Sequence, residues 1–182
     1  MPRMSESELL AFLAEPGHLV RIGTVDADGM PRVAPAWFLY RDGEILFTPR
    51  AASVFLHNLR RDPRVALSID EEALPYRKLS VQGGCRIMHE TGADDAWRET
   101  YRAIARRYVP PASADAYIQN TIDQPRALIA VALAESRVTS WRMPVGGEAR
   151  TGIWARRYYA PGSKYDREAA AAAAAGERTA QP

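Results

Sequence analysis

Between Gly29 and Thr48 the chain reads GMPRVAPAWFLYRDGEILFT, a stretch that brings Arg32, Pro35 and Trp37 close together on one predicted strand. Each offers a different kind of chemistry. A guanidinium can grip a phosphate through two parallel hydrogen bonds. A proline has no N–H for a sheet ladder, so at Pro35 the strand faces an edge, a bulge or a ligand rather than another strand. Alternation sends Arg32, Ala34, Ala36, Phe38 and Tyr40 to one face and Val33, Pro35, Trp37 and Leu39 to the other, with small residues leaving room beside the arginine. A flat ring laid against exposed backbone would use that gap. An edge strand carrying a surface arginine accounts for the same residues.

The remaining reactive side chains read more plainly. His18, His57 and His89 fall in different predicted elements without metal-ligand spacing, so they read as structural or surface residues rather than zinc or haem ligands. Cys85 is the single cysteine, which excludes an intramolecular disulfide framework and a cysteine-rich metal site and reads as a small core residue. Arg60, Arg61 and Arg64 around Asp62-Pro63 suit a solvated helix end, where cations meet the helix dipole. Arg98, Arg102, Arg106 and Arg107 form a basic stripe near Trp97, Tyr101 and Tyr108, but Asp94, Asp95 and Glu99 dilute it, as in an ordinary amphipathic helix.

These residues need a scaffold. Ser5 with Glu8 forms a capping box before Leu9, Leu10, Phe12 and Leu13, which predicts a helix over about 5–15, ended by Pro16-Gly17. From His18 the pattern turns to β-rich runs with Asp28-Gly29 and Asp42-Gly43 at hairpin positions, a three-stranded meander. A helix over about 51–61 follows, stopped by Asp62-Pro63, then a strand over 64–69. YRKLSVQGGCRIMHE reads as a further strand with a bulge at Gly83-Gly84. Residues 94–108 and 113–123 suit helices separated by Pro110-Pro111, and ALIAVALAESRVTSW returns to strand. Six or seven short antiparallel strands with peripheral helices make a mainly β, α+β architecture, closed or partly closed into a barrel.

A chain of 182 residues, 47% hydrophobic and 25% charged, supports one domain with a tail. Its formal charge of +2 lacks the basic surplus of a nucleic-acid binder, and the mostly apolar strand faces disfavour an RNA-binding barrel. The start MPRMSESELLAF lacks the apolar core of a signal peptide, and no window reaches the roughly 20 apolar residues of a membrane span, so the expected location is cytoplasmic.

TVDADGMPRVAPAWFLYRDGEILFT with NLRRDPRVALSI resembles the pyridoxamine 5'-phosphate oxidase-like split-barrel family, over about residues 17–142. The resemblance implies an FMN-binding split barrel, with flavin mononucleotide (FMN) or, in related branches, the deazaflavin coenzyme F-420 held between the subunits of a homodimer. It implies an oxidoreductase exchanging hydride with a small-molecule substrate; the alternative is a non-catalytic flavin or haem binding or storage protein. Arg32 matches the arginine that reaches the cofactor phosphate, and Val33, Ala34, Pro35 and Trp37 match the strand along the ring. Phe47 and Thr48 match the aromatic and hydroxyl pair ending the next strand, and Ser53 the serine opening the phosphate-facing helix. Lys78 and Trp141 correspond to positions beside the flavin. No catalytic acid or base and no metal ligand is assigned.

The chain departs from the family pattern twice. Val54 and Phe55 stand where basic residues usually follow the serine, so part of the usual phosphate clamp is missing: either Arg50 and Lys78 of a second copy substitute, or the cofactor tail runs differently, as a deazaflavin's would, or binds weakly. Arg150, Thr151 and Gly152 replace the Arg-x-His of true pyridoxamine phosphate oxidases, which argues against pyridoxal phosphate synthesis. The implied organisation is an N-terminal helix (1–16), the barrel (17–142), an aromatic and Arg-rich arm (143–166) that could close over a planar ligand or wrap a second subunit, and an Ala-rich tail (167–182) expected to fray.

Overall fold

In the computed structural model the described residues are 2–92, 94–148 and 158–179. Helix α1 (Glu6–Ala14) starts at the expected capping box: Ser5 Oγ accepts from Glu8 N–H, and Glu8 Oε2 accepts from Ser5 N–H at 2.7 Å. Strands β1 (Val20–Val25) and β2 (Pro31–Ala36) form the first hairpin, and β3 (Phe38–Arg41) and β4 (Glu44–Phe47) the second. Asp42 and Gly43 turn the second hairpin with φ of 52° and 82°, the paired positive values that a tight hairpin turn requires. Then come α2 (Val54–Arg61), β5 (Arg64–Asp70), β6 (Lys78–Gly84), β7 (Arg86–His89), a 3₁₀ turn (Asp94–Trp97), α3 (Arg98–Arg106), α4 (Pro111–Asn120), β8 (Leu128–Ala132), β9 (Arg137–Trp141) and α5 (Lys164–Thr179).

All strand pairs are antiparallel, in a five-stranded sheet ordered β2-β1-β5-β6-β9 and a four-stranded sheet ordered β3-β4-β8-β7. The described residues thus contain nine strands rather than six or seven. The difference lies at corners. The expected strand 32–40 breaks between Ala36 and Phe38, so that β2 and β3 belong to different sheets; β6 and β7 part at Cys85, and the late apolar run divides into β8 and β9. A chain that changes sheet must interrupt its ladder, while its side-chain alternation continues across the break. The Ala-rich segment, expected to fray, is helical over Lys164–Thr179, in line with alanine's helix propensity.

Val20, Ile22, Leu67, Ile69, Leu79 and Val81 of the large sheet meet Phe38, Ile45, Phe47, Ile129 and Val131 of the small one in a single core, closed by Phe12 and Leu13 of α1 and Leu56 and Leu59 of α2. The other face of the small sheet is also buried. Leu46, Leu128 and Ala130 pack beneath Trp97 of the 3₁₀ turn and Tyr101, Ala105, Ala114 and Ile118 of the α3–α4 pair. Burial on both faces explains why β8 reads as an unbroken apolar run. Cys85 packs half-buried against the core, where burial pushes its thiol up to about 11.

The charged helices resolve into ion pairs. Arg98 pairs with Asp95, Arg102 with Glu99 and Asp115, and Arg106 with Asp115. Arg107 donates instead to the carbonyls of Leu13, Ala14 and Glu15 at the end of α1, anchoring that helix. No helix among the described residues is long and apolar enough to cross a membrane.

Candidate functional site

The end of β4 and the approach to β8 build the floor of the site. Beyond the regular ladder the two segments stay together: Ala127 N–H donates to Pro49 O, Ala51 N–H donates to Pro125 O, and Arg50 pairs in register with Arg126. Alternation along each segment puts Thr48 and Arg50 on the Leu46 face and Arg126 on the Leu128 face, which is the side covered by α3 and α4. Above them lies a cavity of about 240 Å³, lined by Pro35, Ala36 and Trp37 at the β2–β3 corner, by Thr48, Pro49 and Arg50, by Ser53 just before α2 and Phe55 within it, and by Tyr101, Tyr117 and Arg126.

Its walls are held from behind. Trp37 stacks on Tyr108, with ring centroids 5.0 Å apart, and meets the edge of Tyr117 at 5.4 Å. The Tyr108 hydroxyl donates to His18 O at 2.7 Å and accepts from Phe38 N–H at 3.0 Å, locking the α3–α4 connection against the strand corner. Ser53 turns its hydroxyl back to Arg50 O at 2.7 Å, so no side chain caps the first turn of α2.

No carboxylate lines this cavity. Arg126 is 6% exposed; its guanidinium lies 4.7 Å from the centre of the Tyr101 ring and donates to Thr48 O and to the Tyr117 hydroxyl. Burial pushes the Tyr101 phenol upward in pKa. At Tyr117 burial acts in the same direction, but the Tyr101 hydroxyl and the cations of Arg50 and Arg126 outweigh it and hold the phenol below its usual value.

Of the residues expected from sequence, Pro35, Trp37, Thr48, Arg50 and Ser53 converge on this cavity, and Phe47 is buried in the core, its ring 6.5 Å from that of Phe55 on the cavity wall. Ala34 is half-buried on β2, in register with Ile22. Arg32 lies about 13 Å along β2 from the corner residue Ala36, at the usual strand rise. There it is held by Asp26 through bonds of 2.7 and 2.6 Å, and these bonds, with a further one from Asn58, keep the Asp26 carboxyl down at about 2. Lys78 and Trp141 pair in register across β6 and β9, apart from the cavity. Arg150, Thr151 and Gly152 fall outside the described residues. Tyr101, Tyr117 and Arg126 were not anticipated; they read as parts of an amphipathic helix pair and a strand end, and no local spacing ties them to residue 50.

A larger trench of about 530 Å³ runs over Gly23, Ala66 and Gln82, with Arg32 and Val33 on its border. Its arginines already have partners, Asp26 for Arg32 and Asp62 for Arg64. Free positive charge therefore collects in the smaller cavity. Elsewhere Glu15, His18 and Glu71 come together, but Arg77 bonds both carboxylates at 2.6–2.9 Å.

Residues 5–140 match the family model described as pyridoxamine 5'-phosphate oxidase. The chain belongs to that family. A conserved hypothetical protein of Mycobacterium tuberculosis, a solved member of the same fold, is 26% identical and superposes with a TM-score of 0.62 over 79% of this chain and 93% of its own. A solved F420 reductase is 25% identical with a TM-score of 0.53, covering 75% of this chain and 98% of its own. The haem storage protein HutZ of Vibrio cholerae shares the fold at 18% identity and a TM-score of 0.56, over 74% and 94% of the two chains. No curated protein matches the chain. The oxidase family and the likeness to these structures account for the two-sheet split barrel, and a flavin-type cofactor fits the donor set of the cavity: cations, hydroxyls and an uncapped helix start, with aromatic walls.

Proposed function

We propose that the protein is an oxidoreductase that binds FMN or the deazaflavin coenzyme F-420 and exchanges hydride with a small organic substrate. The observation that carries this reading is the convergence of Pro35, Trp37, Thr48, Arg50 and Ser53, from three separate segments, on one carboxylate-free cavity. When bound, the flavin supplies the hydride chemistry; the chain supplies binding, orientation and exclusion of water. Pro35 leaves its stretch of strand without one N–H donor, so a flat ring can lie there without competing with a sheet partner. Trp37, fixed between Tyr108 and Tyr117, is a rigid wall rather than a mobile lid.

The cavity volume of about 240 Å³ falls below the roughly 300–1,000 Å³ of sites that enclose a whole small molecule. One chain therefore offers part of a site, and a homodimer completes it. Apolar side chains beside the β1–β2 hairpin support a partner surface: Val25, Met30 and Val33 are 47%, 61% and 68% exposed. Lys78 and Trp141 are the residues we assign to the second subunit's wall. The dimer is proposed to act in the cytoplasm.

Titration of the apo-protein with FMN, coenzyme F-420 and haemin, followed by fluorescence and absorbance, tests the reading. Tight binding of one flavin, reduced by NAD(P)H or handed hydride by a reduced deazaflavin, is the expected result. A flavin that binds and is never reduced leaves a storage or sensing protein, and binding of haemin alone removes the oxidoreductase reading.

A further inference from the structure

The aromatic side chains of the two cores are of different kinds. All four phenylalanines, Phe12, Phe38, Phe47 and Phe55, belong to the core between the sheets. The second core, under α3 and α4, holds Trp37, Trp97, Tyr101 and Tyr117 instead. Packing alone does not account for that choice. Trp97 is 4% exposed and its indole N–H is buried without an acceptor, a cost that a phenyl ring would avoid. The four rings also form a row. Trp37 meets Tyr117 at 5.4 Å between centroids, Tyr117 meets Tyr101 at 6.2 Å, and Tyr101 meets Trp97 at 6.1 Å. Trp97 in turn stacks on the half-buried His89, at 6.5 Å and 26° from parallel. Each step lies within the roughly 4.5–7 Å of contacting aromatic pairs. The row therefore runs without a gap from the cavity, where Trp37, Tyr101 and Tyr117 are walls, to the end of β7 at His89. Indole and phenol rings give up one electron far more readily than phenyl, and electron tunnelling between rings weakens steeply with distance, so a gapless row of such rings is a conductor.

We infer that this row carries one-electron oxidising equivalents away from the cavity to the outer end of the α3–α4 layer, so that a radical formed at the cavity does not stay there. Tyr117 gives one electron to an oxidant in the cavity, of the class of a photoexcited flavin, and its phenol proton to solvent. One electron then passes from Trp97 to Tyr117, which recovers its proton from solvent. A soluble one-electron reductant, a thiolate or an enediol, refills the indole. The oxidant has gained one electron, the reductant has lost one, and the protein is unchanged. Tyr101 is a bridge that the electron crosses rather than a stop: its hydroxyl has no access to solvent for releasing a proton, and the Arg126 guanidinium 4.7 Å from its ring centre opposes a positive charge there. The inference rests on the proposed cofactor reading only for the identity of the oxidant.

The experiment drives the row from its far end, in the full chain and without any flavin. A ruthenium polypyridyl photo-oxidant is attached to His89 in a His57→Gln background, which removes the exposed histidine of α2, while His18 stays beside Glu15. A laser flash with a soluble electron acceptor produces the oxidised ruthenium centre, which takes its electron from Trp97. Indole-radical absorption should appear first and phenoxyl-radical absorption should replace it, at a rate independent of protein concentration. Trp97→Phe should remove the indole signal and most of the phenoxyl signal. Trp97→Tyr should restore the phenoxyl signal, a rescue that a purely structural role would not show, because both substitutes shrink the same ring. Tyr76→Phe, outside the row, should change nothing. A phenoxyl signal undiminished in Trp97→Phe, or one whose growth rate rises with protein concentration, overturns the path. If the Trp97 variants do not fold, Tyr117→Phe decides: an undiminished phenoxyl signal there overturns it. A protein that conducts in this way and binds no flavin upholds the path and removes the cofactor reading. One that binds a flavin and forms no phenoxyl radical overturns the path and leaves the cofactor reading standing.

Discussion

Trp37 and Tyr108 stack face to face, their ring planes 4° from parallel, and the Tyr108 hydroxyl bonds the backbone at Phe38, where β3 begins, and at His18, just before β1. This contact joins the helix pair to the barrel where the cavity forms. Tyr108→Phe keeps the stack but leaves Phe38 N–H without its acceptor, so unfolding in urea should show a loss of about 1–3 kcal/mol. A loss within error of zero would show that water replaces the phenol.

Gly83 is required by a close approach rather than by backbone conformation. A Cβ at this position would lie 2.2 Å from Ser136 Oγ and 3.0 Å from Ser136 Cβ. Gly83→Ala should therefore destabilise the β6–β9 region by about 1–3 kcal/mol, as overpacking does. Combining it with Ser136→Gly should recover part of the loss; a double variant no more stable than Gly83→Ala would place the strain elsewhere.

Asp26 contributes acid-sensitive stability. Its carboxyl is held at about 2 by Arg32 and Asn58, against 3.8 ordinarily. A depressed pKa stabilises the folded state above the ordinary value, and that contribution is lost as pH falls from about 4 toward 2. Arg64 holds Asp62 at about 2 in the same way, so the difference between wild type and Arg32→Ala, rather than either melting curve alone, isolates Asp26. Melting temperatures of the two proteins should converge as pH falls through that window. A gap that stays constant from pH 6 to pH 2 would refute the linkage.

Val54 is 46% exposed at the first turn of α2. Val54→Lys restores a cation beside Ser53, and FMN affinity should rise by about three- to tenfold, as expected of a partly solvated charge-assisted bond. Riboflavin affinity should not change. The lysine also opposes the helix dipole by about 0.3–1 kcal/mol, so a small drop in melting temperature without ligand is expected. Equal gains for FMN and riboflavin would mean that the lysine acts on the ring and not on the phosphate.

The local signals were legible in the chain because they depend on neighbours in sequence. Ser5 and Glu8 meet within one helical turn, Asp42-Gly43 makes its turn from its own backbone angles, and Asp62-Pro63 stops α2 by sterics. The alternation that separated Arg32, Ala34, Ala36 and Phe38 from Val33 and Pro35 also survives, since a strand's faces follow from its pleat. The family pattern in residues 24–69 led to Pro35, Trp37, Thr48, Arg50 and Ser53, which do share a cavity.

Tertiary structure decided the rest. Whether the run from Arg32 to Tyr40 is one strand or two depends on which sheet each half joins, and that is set by partners far along the chain. Arg32 looked available for a phosphate until Asp26 folded back across the hairpin to take it. Arg126 looked like an ordinary strand-end residue until the β4–β8 register set it opposite Arg50 and under two tyrosines, with Asp94 bonded to its backbone N–H rather than to its guanidinium. A side chain's type is written in the sequence, but its free charge is what remains after distant partners have been assigned, and only the folded chain makes that assignment.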